Sequence, residues 1–211
     1  MVNCLVITAI ICVLVTTVGT IVSFATPNWL SVRVPAGVMN KRVDVCDCSS
    51  TDCDCGLWLN CRGGPSSAGS LNNCQWYFAN EFAIEKNLPD WFKAVQGLMS
   101  CAVASSMLSL LIGLFSLCWS SKGCNPYQAT GAFANLTFLL LAVAISLFGA
   151  KAYLENKAEV LTDKSRDTDH ILLFGWSFWV AVGSTALSLI AKVHIFDILP
   201  DGLVEDVAHG V

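Results

Sequence analysis

The chain has 211 residues, of which 55% are hydrophobic and only 13% charged, with a formal net charge of −4. Soluble domains carry about 25% charged residues, so this deficit points to a lipid environment. The acidic balance gives no reason to expect nucleic acid as a partner.

Where the charges are missing decides the class. No Asp, Glu, Lys or Arg occurs in residues 1–32, 94–121, 123–150 or 171–191. Each gap reaches the roughly 20 apolar residues that cross a hydrocarbon core of about 30 Å at about 1.5 Å per residue. The expected fold is a single all-α membrane bundle of four transmembrane helices, over 4–26, 94–119, 128–150 and 171–193. The first segment offers small residues at Ser23-Phe24-Ala25, as a cleaved leader would. It has no basic start, however, and outruns the about 7–15 residues of a signal-peptide core, which favours a retained anchor.

Between the spans lie a long loop (27–93), a tight turn (120–127) with Gly123 and Asn125-Pro126, a second loop (151–170) and a tail (194–211). Four spans put both termini and the turn on one face and the two larger loops on the other. Lys and Arg vote weakly. The larger loops hold ten of them, but twelve Asp and Glu match these. The first loop is also longer than the roughly 60 residues over which the positive-inside rule holds.

Cysteine votes more firmly. Six of the eleven cysteines, Cys46, Cys48, Cys53, Cys55, Cys61 and Cys74, crowd into the long loop. An even number at short spacing fits disulfides in an oxidising space, which places the loops outside and the termini in the cytosol. The pairs Cys46-x-Cys48 and Cys53-x-Cys55 also resemble a zinc clip, although the spacing is tighter than in a zinc ribbon and a reducing compartment would be needed. Six cysteines allow about 15 connectivities, and spacing alone selects none.

Strand signals fill the same loop. Trp29–Val34 and Arg42–Val45 alternate apolar and polar residues, and Leu57-Trp58-Leu59 and Gln75-Trp76-Tyr77-Phe78 are aromatic-rich runs separated by Gly63-Gly64-Pro65. The expectation is a small antiparallel β-sheet stapled above the membrane, too small to stand without disulfides and the helix tops.

Trp29, Gly56-Leu57-Trp58, Cys61 and Cys74, in the first loop of a four-span chain, resemble the W…GLW…C…C signature of the claudin, peripheral myelin protein and epithelial membrane protein superfamily. The likeness extends to Leu88-Pro89 and to Ala94–Met99. Phe174-Gly175-Trp176-Ser177 is similar to the epithelial-membrane-protein and calcium-channel-gamma branches. The resemblance implies a Cys61–Cys74 disulfide, worth about 3 kcal/mol for a loop of that size. It also implies sheet anchoring by Trp29 and Trp58, whose rings suit the membrane interface. Departures point to a divergent, invertebrate-type claudin-like member. The stretch from Trp29 to Gly56 is long and holds the four extra cysteines, and Gln96 stands where claudins usually carry arginine.

The function implied is assembly along and across cell contacts at the plasma membrane, forming a paracellular barrier or a weakly selective pore. Phe78 would make the lateral contact. Asp44, Asp47, Asp52, Asp54 and Arg62 are the candidate pore or loop charges, and Arg62 and Gln75, which follow the motif cysteines, favour a barrier. The alternative is an accessory subunit of a channel or receptor, or a membrane-organising protein.

No catalytic or cofactor constellation occurs. His170, His194 and His209 are scattered without a metal motif, and no Asp, Glu, Lys, Arg or His lies within the four charge-free stretches. No enzyme is expected. The sequon Asn135-Leu136-Thr137 falls inside the third span. Two stripes of small residues, Ser105/Ser109/Gly113 and Ala142/Ser146/Ala150, read as packing within the bundle ahead of a self-association face. Cys4, Cys118 and Cys124 near the cytosolic boundary are palmitoylation candidates, and Val211 offers an apolar C-terminus to a PDZ groove.

Overall fold

The computed structural model describes residues 2–33, 52–62, 74–77, 88–118, 126–156 and 171–198. In chain order these form helix α1 (Val2–Ala25), strands β1 (Leu30–Arg33), β2 (Cys53–Cys55), β3 (Leu59–Arg62) and β4 (Cys74–Trp76), helices α2 (Asp90–Cys118) and α3 (Pro126–Asn156), strand β5 (Ile171–Phe174) and helix α4 (Trp176–Ile198). Among the described residues, segments of α1 (Ile7–Ala25), α2 (Asp90–Phe115) and α3 (Ala129–Leu154) are long and apolar enough to cross a membrane. The fourth helix has 23 residues and lies against α1 and α3. The protein is thus a multi-pass membrane protein. The helices form a ring in which α1 touches α2 and α4, and α3 touches α2 and α4.

Serine and threonine hydroxyls stitch the ring together. Ser105 Oγ and Thr137 Oγ1 lie 2.7 Å apart between α2 and α3, and Ser109 donates to the Thr130 carbonyl at 3.0 Å. Thr17 reaches the Ser106 carbonyl at 3.3 Å, and Ser23 donates to the Ser177 carbonyl at 2.8 Å. Apolar collapse does not bring helices together in lipid, so such bonds and close small-residue packing do. At Gly19 a Cβ would strike Ser184 Oγ, so α1 and α4 approach closely there.

The five strands form one antiparallel sheet, ordered β4-β3-β2-β1-β5. β1 is central to the design. It pairs with β2 in register Leu30↔Cys55 and with β5 in register Leu30↔Phe174, joining the two larger loops in a single sheet.

Two strands depart from the sequence expectation. Ile171–Phe174 was expected to open the fourth span, but it pairs with β1 and the helix starts only at Trp176. An apolar run of four residues merges with the span that follows, and only its tertiary partner makes it a strand. Cys53-Asp54-Cys55, read as part of a cysteine cluster, is likewise a full strand. The run Leu57-Trp58-Leu59 turns at its start, with strand geometry beginning at Leu59. Arg42–Val45 lies outside the described residues.

Candidate functional site at the junction of sheet and bundle

The signature residues meet where α1 ends and the sheet begins. Trp29 is fully buried, its Nε1 donating to the Ser23 carbonyl at 2.8 Å. Its ring meets Phe148 of α3 and Phe178 of α4 edge-on, with centroids 4.8 and 5.9 Å away. The ring thus sits where the sheet meets the helix tops, packed in the protein interior. It is a plug between bundle and sheet, closed off from the surface. An indole fits there because its one polar atom is satisfied locally while its carbon surface fills the core. Trp58 is half-buried, against Phe24 at 5.2 Å.

The backbone of this junction is shared by three elements. Trp29 N donates to the Cys55 carbonyl at 2.9 Å, and Gly175 N donates to the Trp29 carbonyl at 2.9 Å. Ser177 N donates to the Asn28 carbonyl at 3.1 Å, while Thr26 and Ser177 hydroxyls lie 2.7 Å apart. Such proximity leaves no room for side chains. A Cβ at Gly56 would sit 2.5 Å from the Thr26 carbonyl oxygen and 2.6 Å from Pro27 Cα, and one at Gly175 would strike the Asn28 carbonyl oxygen. Gly56 of the signature and Gly175 are therefore contact-distance residues, placed where backbones touch.

Two further bonds hold the Gly56–Trp58 turn. Gln96 Nε2 on α2 donates to the Leu57 carbonyl at 2.6 Å, and Tyr77 donates its hydroxyl to the Gly56 carbonyl at 3.2 Å. Burial pushes the Tyr77 phenol well above its ordinary value, so it stays neutral and able to donate. Gln96, noted in the sequence within the Ala94–Met99 likeness and as a departure from arginine, proves to be a strut. Neither partnership had a local signal, since Leu57 and Gln96 are 39 residues apart.

Cys61 and Cys74 are directly opposed on β3 and β4 and form a disulfide, with Cα atoms 4.0 Å apart. Cys53 and Cys55 project from one face of β2 into the core and are both disulfide-bonded. Their sulfurs are 3.9 Å apart, so they are not bonded to each other. Among the described residues, Cys12 and Cys101 are the free thiols. Cys46 and Cys48 lie outside the described residues, as do Asp44, Asp47 and Phe78.

The remaining loop charges are spread over the sheet. Asp54 is 6% exposed and accepts a bond from Ser31 Oγ at 2.6 Å. Asp52 faces Arg33 at 3.4 Å, and Arg62 falls in β3 with its side chain outside the described residues. Asp54 is thus part of the sheet's internal bonding.

The two small-residue stripes part company. Ser105, Ser109 and Gly113 face α3 inside the bundle, where a Cβ at Gly113 would lie 3.5 Å from Thr130. Ser146 and Ala150 are exposed and Ala142 is half-buried, so the second stripe turns away from the bundle, against the packing expected of it. Helix rotation decides this, and spacing carries no sign of it. Cys4 and Cys118 fall at the helix ends opposite the sheet. Their side chains, and all of Cys124 and Val211, lie outside the described residues.

No curated protein matches the chain as a relative. The sequence model of the PMP-22/EMP/MP20/Claudin family matches residues 3–193, which take in all four helices and the whole sheet up to the last turns of α4, and the chain belongs to that family.

Proposed function

We propose that this protein is a claudin-like junction protein that associates with copies of itself, within one membrane and across the gap between cells, to form a paracellular barrier. The observation that supports this most is the outer face of α3. Ala142, Ser146 and Ala150 form an outward small-residue stripe of the kind that lets helices of neighbouring molecules approach. At the end of the apolar stretch Ala129–Leu154, Tyr153 and Leu154 are 61% and 73% exposed. Trp76, on the edge strand β4, is also exposed, giving the outer end of the molecule a second apolar element. Phe78, two residues on, supplies the lateral contact in this reading.

A barrier suits the residues better than a cation pore. Arg62 and Gln75, which follow the motif cysteines, are not acidic, and Asp54 is withdrawn into the sheet. The termini are placed in the cytosol, with Cys4, Cys118 and Cys124 available for palmitoylation and Val211 for a PDZ scaffold. A second reading, an accessory subunit of a channel or receptor, draws on Phe174-Gly175-Trp176-Ser177.

Expression in cells without junction strands, followed by imaging of contacts and freeze-fracture, separates the two. Enrichment at contacts with continuous intramembrane strands, broken by Phe78→Ala, is the expected result. A diffuse surface signal without strands would reject self-assembly and direct the search to a co-purifying channel.

A further inference from the structure

Lys192 lies within α4, directly after the charge-free stretch 171–191. Its depth follows from two relationships. Ser177 marks the sheet end of the bundle, where its carbonyl accepts from Ser23 and its N–H donates to the Asn28 carbonyl. Lys192 is fifteen residues further along the helix, about 22 Å, against a hydrocarbon core of about 30 Å. The adjacent Ala191 clusters with Ala9 and Val13 of α1 and Ala134 of α3, within the membrane-capable segments of both helices. The lysine backbone is therefore about 8 Å inside the membrane surface opposite the sheet.

A lysine near a helix end usually turns its ammonium out to the headgroups. Lys192 does the reverse. Side chains of a helix lean toward its N-terminus, which in α4 is the sheet end, and the ammonium lies 6.0 Å from the centre of the Phe138 ring on α3. Phe138 is itself a turn closer to the sheet than Ala134. The ring face offers a partial negative charge but no full counter-charge. Among the described residues the ion pairs are Arg33–Asp52 and Lys93–Asp90, so Lys192 has no carboxylate. Its side chain is half-buried where α3 meets α4, and Leu139 and Leu189, its neighbours on the two helices, are exposed.

We propose that the seam between α3 and α4 binds a membrane helix of a different protein, one that carries an Asp or Glu at the depth of Lys192. An unpaired cation in hydrocarbon calls for an anion at its own depth. A second copy of this chain has none to offer there. Its four charge-free stretches hold no Asp or Glu, and the nearest acidic residue on α4, Asp197, stands five residues further out. A lipid phosphate lies outside the hydrocarbon, on the side from which the ammonium turns away. A carboxylate on a partner helix meets both the depth and the charge. The inference goes beyond self-assembly into strands, which neither requires nor excludes this pair, so the two readings fail separately.

The test places donor-labelled full-length protein in phosphatidylcholine vesicles with acceptor-labelled synthetic leucine helices that carry one Asp at the matching depth, or none. Energy transfer at neutral pH should show the Asp helix bound about tenfold more tightly than the all-leucine helix. Lys192→Arg should keep that preference and Lys192→Gln should lose it. Moving the Asp to the helix end, level with the headgroups, should also remove it. Equal binding of the two helices by the wild-type protein, or an Asp preference that survives Lys192→Gln, overturns the inference. So does a thermal midpoint that phosphatidylglycerol raises through Lys192 while the Asp helix gains nothing, which assigns the lysine to lipid headgroups.

Discussion

Gln96 and Leu57 are joined by a 2.6 Å bond from the glutamine side chain to the leucine carbonyl, both residues being buried beneath the sheet. This bond ties the Gly56–Trp58 turn to α2 and sets the height of the sheet above the bundle. A neutral amide suits the position because the carbonyl needs a donor, whereas a charge would have to be desolvated there. Gln96→Leu keeps the volume but leaves the Leu57 carbonyl unpaired, at a cost of about 1–3 kcal/mol. The expected outcome is a lower unfolding midpoint in detergent, with Gln96→Ala at least as severe. An unchanged midpoint for both would show that the carbonyl finds another donor.

The glycines divide sharply. Gly175→Ala drives a methyl group into the Asn28 carbonyl oxygen, and Gly56→Ala meets Thr26 and Pro27 backbone. Backbone cannot swing aside as a side chain can, so each change is expected to exceed about 4 kcal/mol and abolish surface delivery. Gly97 and Gly183 have nothing within 4 Å of a built Cβ. Both lie inside helices, where Ala exceeds Gly in propensity by up to about 1 kcal/mol, so these two substitutions should be neutral or stabilising. Glycosylated surface fractions of the four variants provide the comparison once an outer-loop sequon has been engineered as a reporter.

Tyr77 makes the fold alkali-sensitive. Its folded-state pKa is raised by burial above the unfolded value of about 10, so the folded state holds the proton more tightly. The stabilisation from the neutral phenol is therefore complete below about pH 10 and is lost as pH climbs from there toward the folded value. Tyr77→Phe should lower stability at neutral pH by removing the bond to Gly56, yet flatten the alkaline decline. Unfolding midpoints measured from neutral pH upward in both proteins provide the check. Parallel curves would exclude Tyr77 as the titrating group.

The disulfides should respond differently to single and double removal. Cys61→Ala frees a thiol on Cys74 beside an ordered strand pair, and loss of the bond is expected to cost about 2–5 kcal/mol. The double change Cys61→Ala with Cys74→Ala should cost about the same, because the effect lies in the lost cross-link. Cys53 and Cys55 have partners outside the described residues, and we expect Cys46 and Cys48 to supply them. Peptide mapping under non-reducing conditions should then yield Cys61–Cys74 as one linked pair and Cys46, Cys48, Cys53 and Cys55 within one linked group. A free Cys46 or Cys48 thiol in that map would contradict the assignment.

Much of this architecture is written locally. The charge-free stretches report four long helices, three of them apolar enough to cross a membrane among the described residues, because an ionised side chain is too costly in hydrocarbon to be scattered at random. Trp29, Gly56-Leu57-Trp58, Cys61 and Cys74 identify the family because a small stapled sheet on a bundle accepts few alternatives at those points. Even a single strand, Leu30–Arg33, can be read from its alternation.

What the tertiary structure alone decided is which residues face one another. Ile171–Phe174 becomes a strand because β1 offers an unpaired edge, and no pattern within its four residues distinguishes it from the helix that follows. Trp29 is a buried plug because α3 and α4 bring Phe148 and Phe178 to its ring. The stripes Ser105/Ser109/Gly113 and Ala142/Ser146/Ala150 have the same spacing, yet one faces a neighbouring helix and the other faces out. A helix carries its periodicity in sequence, but its rotation about its own axis is set by the partners it packs against.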